Sequence, residues 1–196
     1  MITFEESTHT YTTEMGRVIP SVSEVVGEIL GDQYSSVPRH ILEAAAQFGT
    51  DVHSAIEMYN LTGLVDQNAP GNQLGCLEEY IKLLAKHDIK PLKNEVMVHY
   101  KHIYAGTFDL IAHQGGQLAL IDYKTTAQLN EDWLLWQLNL YRLAYESMTE
   151  DKIERLTGIW LPKGKLGKAV EVPIIFDDQL ILTMEEALRG IDARSN

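Results

Sequence analysis

Three charged residues, Asp109, Asp122 and Lys124, flank two apolar runs joined by Gly115-Gly116 in the stretch GTFDLIAHQGGQLALIDYKTT. If the two glycines are the loop of a tight hairpin, Gln114 lies opposite Gln117 and Asp109 opposite Asp122. Side chains alternate along a strand, so Asp109, Asp122 and Lys124 then share one face, with Lys124 opposite Thr107. A bulge would shift this register and separate the aspartates. Two ionised carboxylates with β-carbons about 5 Å apart repel by ~3 kcal/mol at an effective dielectric near 20. A retained proton, a bridge from the Lys124 ammonium or a bound divalent cation offsets that repulsion. A purely structural Lys-Asp network is the plainest of the arrangements that satisfy it.

The surroundings suggest a use for such a group. Leu118, Ala119, Leu120 and Ile121 are apolar on both faces, as in a central strand covered on both sides, and polarity begins only at Asp122. Carboxylates at a strand end can hold a hard cation against a phosphate oxygen. The cation lowers the pKa of a water, and a nearby lysine stabilises the charge that develops, which together are the requirements of phosphodiester hydrolysis.

The rest of the chain must position this hairpin. Residues 3–20 read as a short hairpin, and Ser21-Val22-Ser23-Glu24 is a capping box opening a helix that ends at Gly31. Residues 39–61 read as helical, in two pieces if Gly49 divides them and Thr50 caps the second; 61–71 is turn-rich, and a helix follows from about Leu74 to His87. From Lys93 the period becomes two: Val96, Val98 and Tyr100 share one strand face, and Glu95, Met97 and His99 the other. After the hairpin come a helix from Asn130 to about Met148, strands at 156–161 and 170–176 around the basic loop PKGKLGK, and a helix from about Asp177. The order predicts an α/β core with an antiparallel meander.

Composition narrows the functional classes. Cys76 is the single cysteine, so the chain can form no internal disulfide and no four-thiolate zinc or iron-sulfur site of its own. No apolar run approaches the ~20 residues of a membrane span, and MITFEESTHTY lacks the order of a signal peptide, so a soluble cytoplasmic protein is expected. The formal net charge of -12 opposes non-specific attraction to polyanions, so activity on DNA would need local basic patches and divalent cations.

Asp109 followed across the turn by Ile121-Asp122-Tyr123-Lys124-Thr125 resembles the PD-(D/E)XK nuclease superfamily, in particular its RecB-like and phage exonuclease branch. Gly49-Thr-Asp-Val-His53 is similar to the branch's upstream Gly-x-x-x-His element, and Gln137-Leu-Asn-Leu-Tyr141 to its Gln-x-x-x-Tyr helix. His9-Thr-Tyr11 and Ile19-Pro-Ser-Val-Ser23 resemble the N-terminal portion of small phage-borne members. The Pro-Asp dipeptide of the superfamily's name is absent, since Phe108 precedes Asp109. A lone Asp-x-Lys arises often by chance; four ordered elements are far more specific.

The resemblance implies a restriction-endonuclease-like α/β core, a mixed, mostly antiparallel central sheet flanked by helices, with residues 1–196 as one domain. It implies Asp109, Asp122, His53 and the Tyr123 carbonyl as ligands of Mg2+ or Mn2+, Lys124 as the catalytic lysine, and Glu95 as a second-metal ligand or water-orienting base. Gln137 and Tyr141, one helical turn apart, would reach the site or the DNA backbone, with Thr125 nearby. The implied activity is a metal-dependent deoxyribonuclease that uses an activated water, an exonuclease or end-processing enzyme of phage-type recombination or repair. Its partners would be DNA ends and a recombination protein. No Gly-x-x-x-x-Gly-Lys-Ser/Thr loop is present, so no nucleotide cofactor is expected. Lys163, Lys165 and Lys168 in PKGKLGK are the candidate phosphate contacts, or equally a solvated, edge-protecting hairpin tip. The competing functional reading is a catalytically inactive protein that keeps the fold as a nucleic-acid or protein binding module.

Overall fold

The computed structural model describes residues 2–5, 8, 10–31 and 37–195. A small antiparallel sheet comes first, formed by β1 (Ile2–Glu5), β2 (Thr10–Thr13) and β3 (Val18–Ile19), which extends the expected hairpin by one strand. His9, part of one of the N-terminal resemblances, lies outside the described residues. The helices α1 (Val22–Leu30), α2 (Arg39–Thr62) and α3 (Gly71–Lys86) follow. Ser21 caps α1 in a complete capping box with Glu24, as its spacing predicts.

The main sheet is five-stranded, in the order β4 (Ile89–Tyr100), β5 (Tyr104–Gln114), β6 (Gln117–Lys124), β7 (Arg155–Trp160) and β8 (Lys168–Val172). Every neighbouring pair is antiparallel except β6 and β7, which run parallel. A parallel pair needs a crossover, and α4 (Glu131–Met148), capped by Asn130, supplies it. The last helix is α5 (Asp177–Ser195). The sheet is therefore mixed and mostly antiparallel with helices on both faces, as expected.

Two hydrophobic layers sandwich the sheet. On one face, Val22, Val25 and Val26 of α1, Leu134 and Leu138 of α4 and Leu180 of α5 pack on Val96, Phe108, Leu120 and Leu156. On the other, Val52 and Ile56 of α2 and Leu77 and Tyr80 of α3 pack on Leu110, Ala119, Ile121 and Ile159. No helix among the described residues is long and apolar enough to cross a membrane.

Among the boundaries that differ from the expectations, three have a clear physical cause. α2 is continuous through Gly49 and Thr50; the Thr50 hydroxyl donates to the Ala46 carbonyl instead of capping a second helix. β4 begins at Ile89, not Lys93, and carries Pro91 at a register shift; it is an edge strand, where a missing N–H is tolerated. β8 stops at Val172 because Pro173 cannot continue the ladder, and its carbonyl accepts from Asn139 of α4 instead.

Candidate active site

The hairpin register holds from Gln114↔Gln117 to Leu110↔Ile121 and then ends. Beyond that point the Tyr123 amide donates to Asp109 Oδ2 at 2.5 Å, so a carboxylate stands where β5 would continue the pairing. Lys124 lies beside Trp160 of β7, not opposite Thr107 as a continuing ladder would require, and its carbonyl accepts from Leu161. Consecutive carbonyls of a strand point to opposite sides, so the Tyr123 carbonyl faces the β5 side, the same gap as Asp109.

A second irregularity brings Glu95 to that gap. The β4–β5 pairs Asn94↔Leu110 and Val96↔Phe108 flank Glu95 and Asp109, which oppose each other between them. Glu95 has φ +48°, the left-handed region that few non-glycine residues occupy. Phe108 and Leu110, two residues apart on β5, consequently pack into opposite hydrophobic layers. The strand pair turns over at Glu95 and Asp109, and their side chains are left to one another and to α2.

From α2, His53 Nδ1 lies 2.9 Å from Asp109 Oδ1. Ligand atoms of His53, Glu95 and Asp109 all fall within 4.8 Å of one another. Asp122 stands beside this trio with its Oδ2 2.5 Å from the Lys124 ammonium. Asp109 and Asp122 are only 7% and 4% exposed, so each buried carboxylate needs a partner. The repulsion anticipated between them is offset twice, by an imidazole on Asp109 and an ammonium on Asp122.

Electrostatics sorts the four acids and bases. Burial opposes ionisation of Asp109, but the adjacent His53 charge and hydrogen bonds hold its carboxyl below the usual range. Burial works against the His53 cation as well, yet Asp109 prevails and lifts the imidazole to about 8. Glu95 is exposed at its outer side, yet partial desolvation of its carboxyl, then the Asp109 charge, pushes it up to about 7. Asp122 is raised by burial despite Lys124. Protons thus collect on His53 and Glu95 at neutral pH, where a cation would satisfy the same negative charge. Two carboxylates and an imidazole form a donor set that a divalent cation such as Mg2+ or Mn2+ would fit.

Gln137 and Tyr141 share a buried face of α4, with the Gln137 amide 3.4 Å from the Tyr141 hydroxyl. Gln137 Oε1 is buried without a hydrogen-bond partner, and the residue lines a cavity of about 480 Å3 together with Lys124. A β-carbon at Gly106 would sit 2.6 Å from the Tyr141 ring, so glycine there lets α4 approach β5. Thr125 packs against Gly49 of α2, whose added β-carbon would meet Thr125 Oγ1 at 3.2 Å. Lys163 and Lys165 line a separate cleft next to Thr125, whereas Lys168 is on β8 with its ammonium 3.8 Å from Glu131. The basic loop is therefore divided, and Lys168 does not join the other two.

Sequence reasoning missed the support beneath the site. Asn60 Nδ2 donates to Asn94 Oδ1 at 2.8 Å, and the Tyr80 hydroxyl donates to Asn60 Oδ1 at 2.9 Å and lies 3.3 Å from the Tyr123 hydroxyl. Asn60 is two helical turns after His53 on α2, and that spacing was the available signal.

Residues 77–186 match the family model of the PD-(D/E)XK nuclease superfamily. The chain belongs to this superfamily. The PD-(D/E)XK match begins within α3 and runs through the hairpin and α4 into α5, and the core is restriction-endonuclease-like. No curated protein matches the chain. Among solved structures it is similar to an alkaline exonuclease from Laribacter hongkongensis, at 10% identity over 88% of this chain and 85% of that one, with a TM-score of 0.49. It is also similar to a phage-related exonuclease from Haemophilus somnus, at 11% identity over 87% of this chain and 90% of that one, with a TM-score of 0.43.

Proposed function

We propose that this PD-(D/E)XK protein is a divalent-metal-dependent deoxyribonuclease, an exonuclease or end-processing enzyme of phage-type recombination or repair, with residues 1–196 acting as one domain. The observation that carries the reading is the convergence of His53, Glu95 and Asp109 within 4.8 Å beside a buried Asp122–Lys124 pair. A structural ion-pair network needs only the two pairs; Glu95, carrying a carboxyl raised to about 7 on a left-handed backbone, adds charge and strain to it.

His53, Glu95, Asp109, Asp122 and the Tyr123 carbonyl are the groups that would hold the cation. When bound, the cation supplies Lewis-acid activation of phosphate and water. Lys124, anchored on a strand and tied through its carbonyl to Leu161, presents its ammonium at the site to stabilise charge on the phosphate. Glu95, at the edge of the trio, would either serve the cation as a ligand or orient the incoming water. Gln137 offers an unpaired buried carbonyl oxygen beside Lys124, and Tyr141 holds the Gln137 amide from one turn away. Thr125, Lys163 and Lys165 extend the surface on which a strand would lie.

The test incubates linear duplex, covalently closed circular and single-stranded DNA with Mg2+ or Mn2+, with EDTA and Lys124→Ala as controls. Degradation of linear substrates alone, lost in both controls, is expected. Cleavage of closed circles would make the protein an endonuclease. Metal-dependent thermal stabilisation without hydrolysis of any substrate would favour a binding module on the same fold.

A further inference from the structure

We infer that the cleft between α2 and the β7–β8 loop binds an unpaired nucleotide of the substrate strand, its base stacked on Phe48 and its phosphates held by Lys163 and Lys165. The inference rests on the nuclease reading for the substrate class. It goes beyond that reading by assigning a base-binding site.

The cleft has a volume of about 690 Å3, within the range that accommodates small organic groups. Its α2 wall is apolar, formed by Leu42, the alanines 44–46 and Phe48, and its floor begins at Thr125, next in sequence to Lys124. Of the described residues that line it, none is acidic, and the two charged ones are Lys163 and Lys165. In a chain with 28 acidic residues and a net charge of -12, a cleft whose described lining carries two lysines and no carboxylate is a local reversal of the field. An apolar occupant would have no use for that charge, and a free phosphate none for the apolar wall. A nucleotide unit uses both, through its flat base and its charged backbone.

The walls are held together. The Trp160 indole donates to the Thr126 carbonyl at 2.7 Å, and the Leu161 amide donates to the Lys124 carbonyl at 2.7 Å. Both contacts tie the start of the lysine loop to the segment leaving the site, and Gly49 lets α2 approach Thr125. The Lys163 ammonium lies 5.4 Å from the Phe48 ring centroid. Its flexible stem can swing to a phosphate and leave the ring face to a base. A strand seated here would lie against Thr125, the residue that follows Lys124.

The experiment measures binding apart from hydrolysis. Oligonucleotides carrying 2-aminopurine, single-stranded or as the unpaired end of a duplex, are titrated with protein in EDTA. Quenching of the fluorophore is expected for the native protein. Phe48→Ala should lose the quench and bind about 5- to 150-fold more weakly, the equivalent of ~1–3 kcal/mol for one stacked base. Phe48→Tyr should restore both, which separates lost stacking from misfolding. Replacing Lys163 and Lys165 by alanine should reduce the salt slope of single-strand binding by about 1.4, at ~0.7 per phosphate contact. Unchanged quench and affinity in folded Phe48→Ala, or no saturable binding by the native protein, would overturn the site even if hydrolysis proceeds. Self-association abolished by Phe48→Ala, without any quench, would make the cleft an interface between copies and overturn it too. A Phe48-dependent quench in a protein that hydrolyses nothing would support the cleft while removing the nuclease reading.

Discussion

Coordination of a cation by His53, Glu95 and Asp109 must expel protons, and the number follows from the site. A ligating imidazole must be neutral on the bound nitrogen, and a ligating carboxyl must be ionised. With His53 at about 8 and Glu95 at about 7, the metal-free protein at pH 7 carries most of a proton on the first and part of one on the second. Asp109, held below the usual carboxylate range, contributes none. Binding of Mn2+ at pH 7 should therefore release between about one and two protons, and apparent affinity should rise by ~10-fold or more per pH unit near neutrality, flattening above pH ~9. Calorimetric titration of Mn2+ into the protein, in buffers of one pH and different ionisation heats, reads the proton number from the slope. His53→Gln should lower it, since the imidazole proton is then absent. A proton number of zero at pH 7, or affinity independent of pH from 6.5 to 7.5, would refute the assignment of these three residues as the ligands.

The remaining predictions concern the scaffold and the apo protein. In EDTA, His53 lies above its ordinary pKa of 6.5, so the His53–Asp109 pair contributes its stability in full below about pH 6.5 and loses it as pH rises through about 8. The shift corresponds to ~2 kcal/mol, nearer 1 after solvent screening of the part-exposed ring, so urea midpoints should fall between pH 6 and pH 9, and less so in His53→Ala. Gly106→Ala should cost about 1–3 kcal/mol by denaturant titration and lower cleavage as well, because the new methyl meets the Tyr141 ring and Val22. Asn60→Ala leaves Asn94 and the Tyr80 hydroxyl without their partner and should cost about 1–3 kcal/mol in the same titration, with weaker Mn2+ binding because Asn94 precedes Glu95.

Which parts of this arrangement could be read from the chain depends on how local their causes are. The Gly115-Gly116 turn determines a register that the ladder follows as far as Leu110↔Ile121, and the Ser21 and Asn130 caps form where their spacing puts them. The ladder stops at Asp109 for a reason the hairpin does not contain: a carboxylate supported by His53, 56 residues earlier on α2, captures the Tyr123 amide. Gly49 looked like a break because glycine costs a helix about 1 kcal/mol. Its tertiary neighbour Thr125, which leaves little room for a β-carbon, explains why the residue is there while the helix continues. The left-handed Glu95 carries no local signal at all, since a glutamate between Asn94 and Val96 reads as an ordinary strand residue. Lys168 was grouped with Lys163 and Lys165 by proximity in sequence, but strand pairing with Trp160 directs it to Glu131 and away from the cleft.

Bound metal and cleaved phosphodiesters can be followed on one sample, with Mn2+ occupancy read by electron paramagnetic resonance and hydrolysis of an end-labelled linear duplex read by gel. Both should saturate over the same range of Mn2+, at one pH, and Asp109→Asn should lose the two together while Lys124→Ala keeps occupancy and loses hydrolysis. Cleavage that persists in EDTA, or in Asp109→Asn with no Mn2+ bound, would contradict the account.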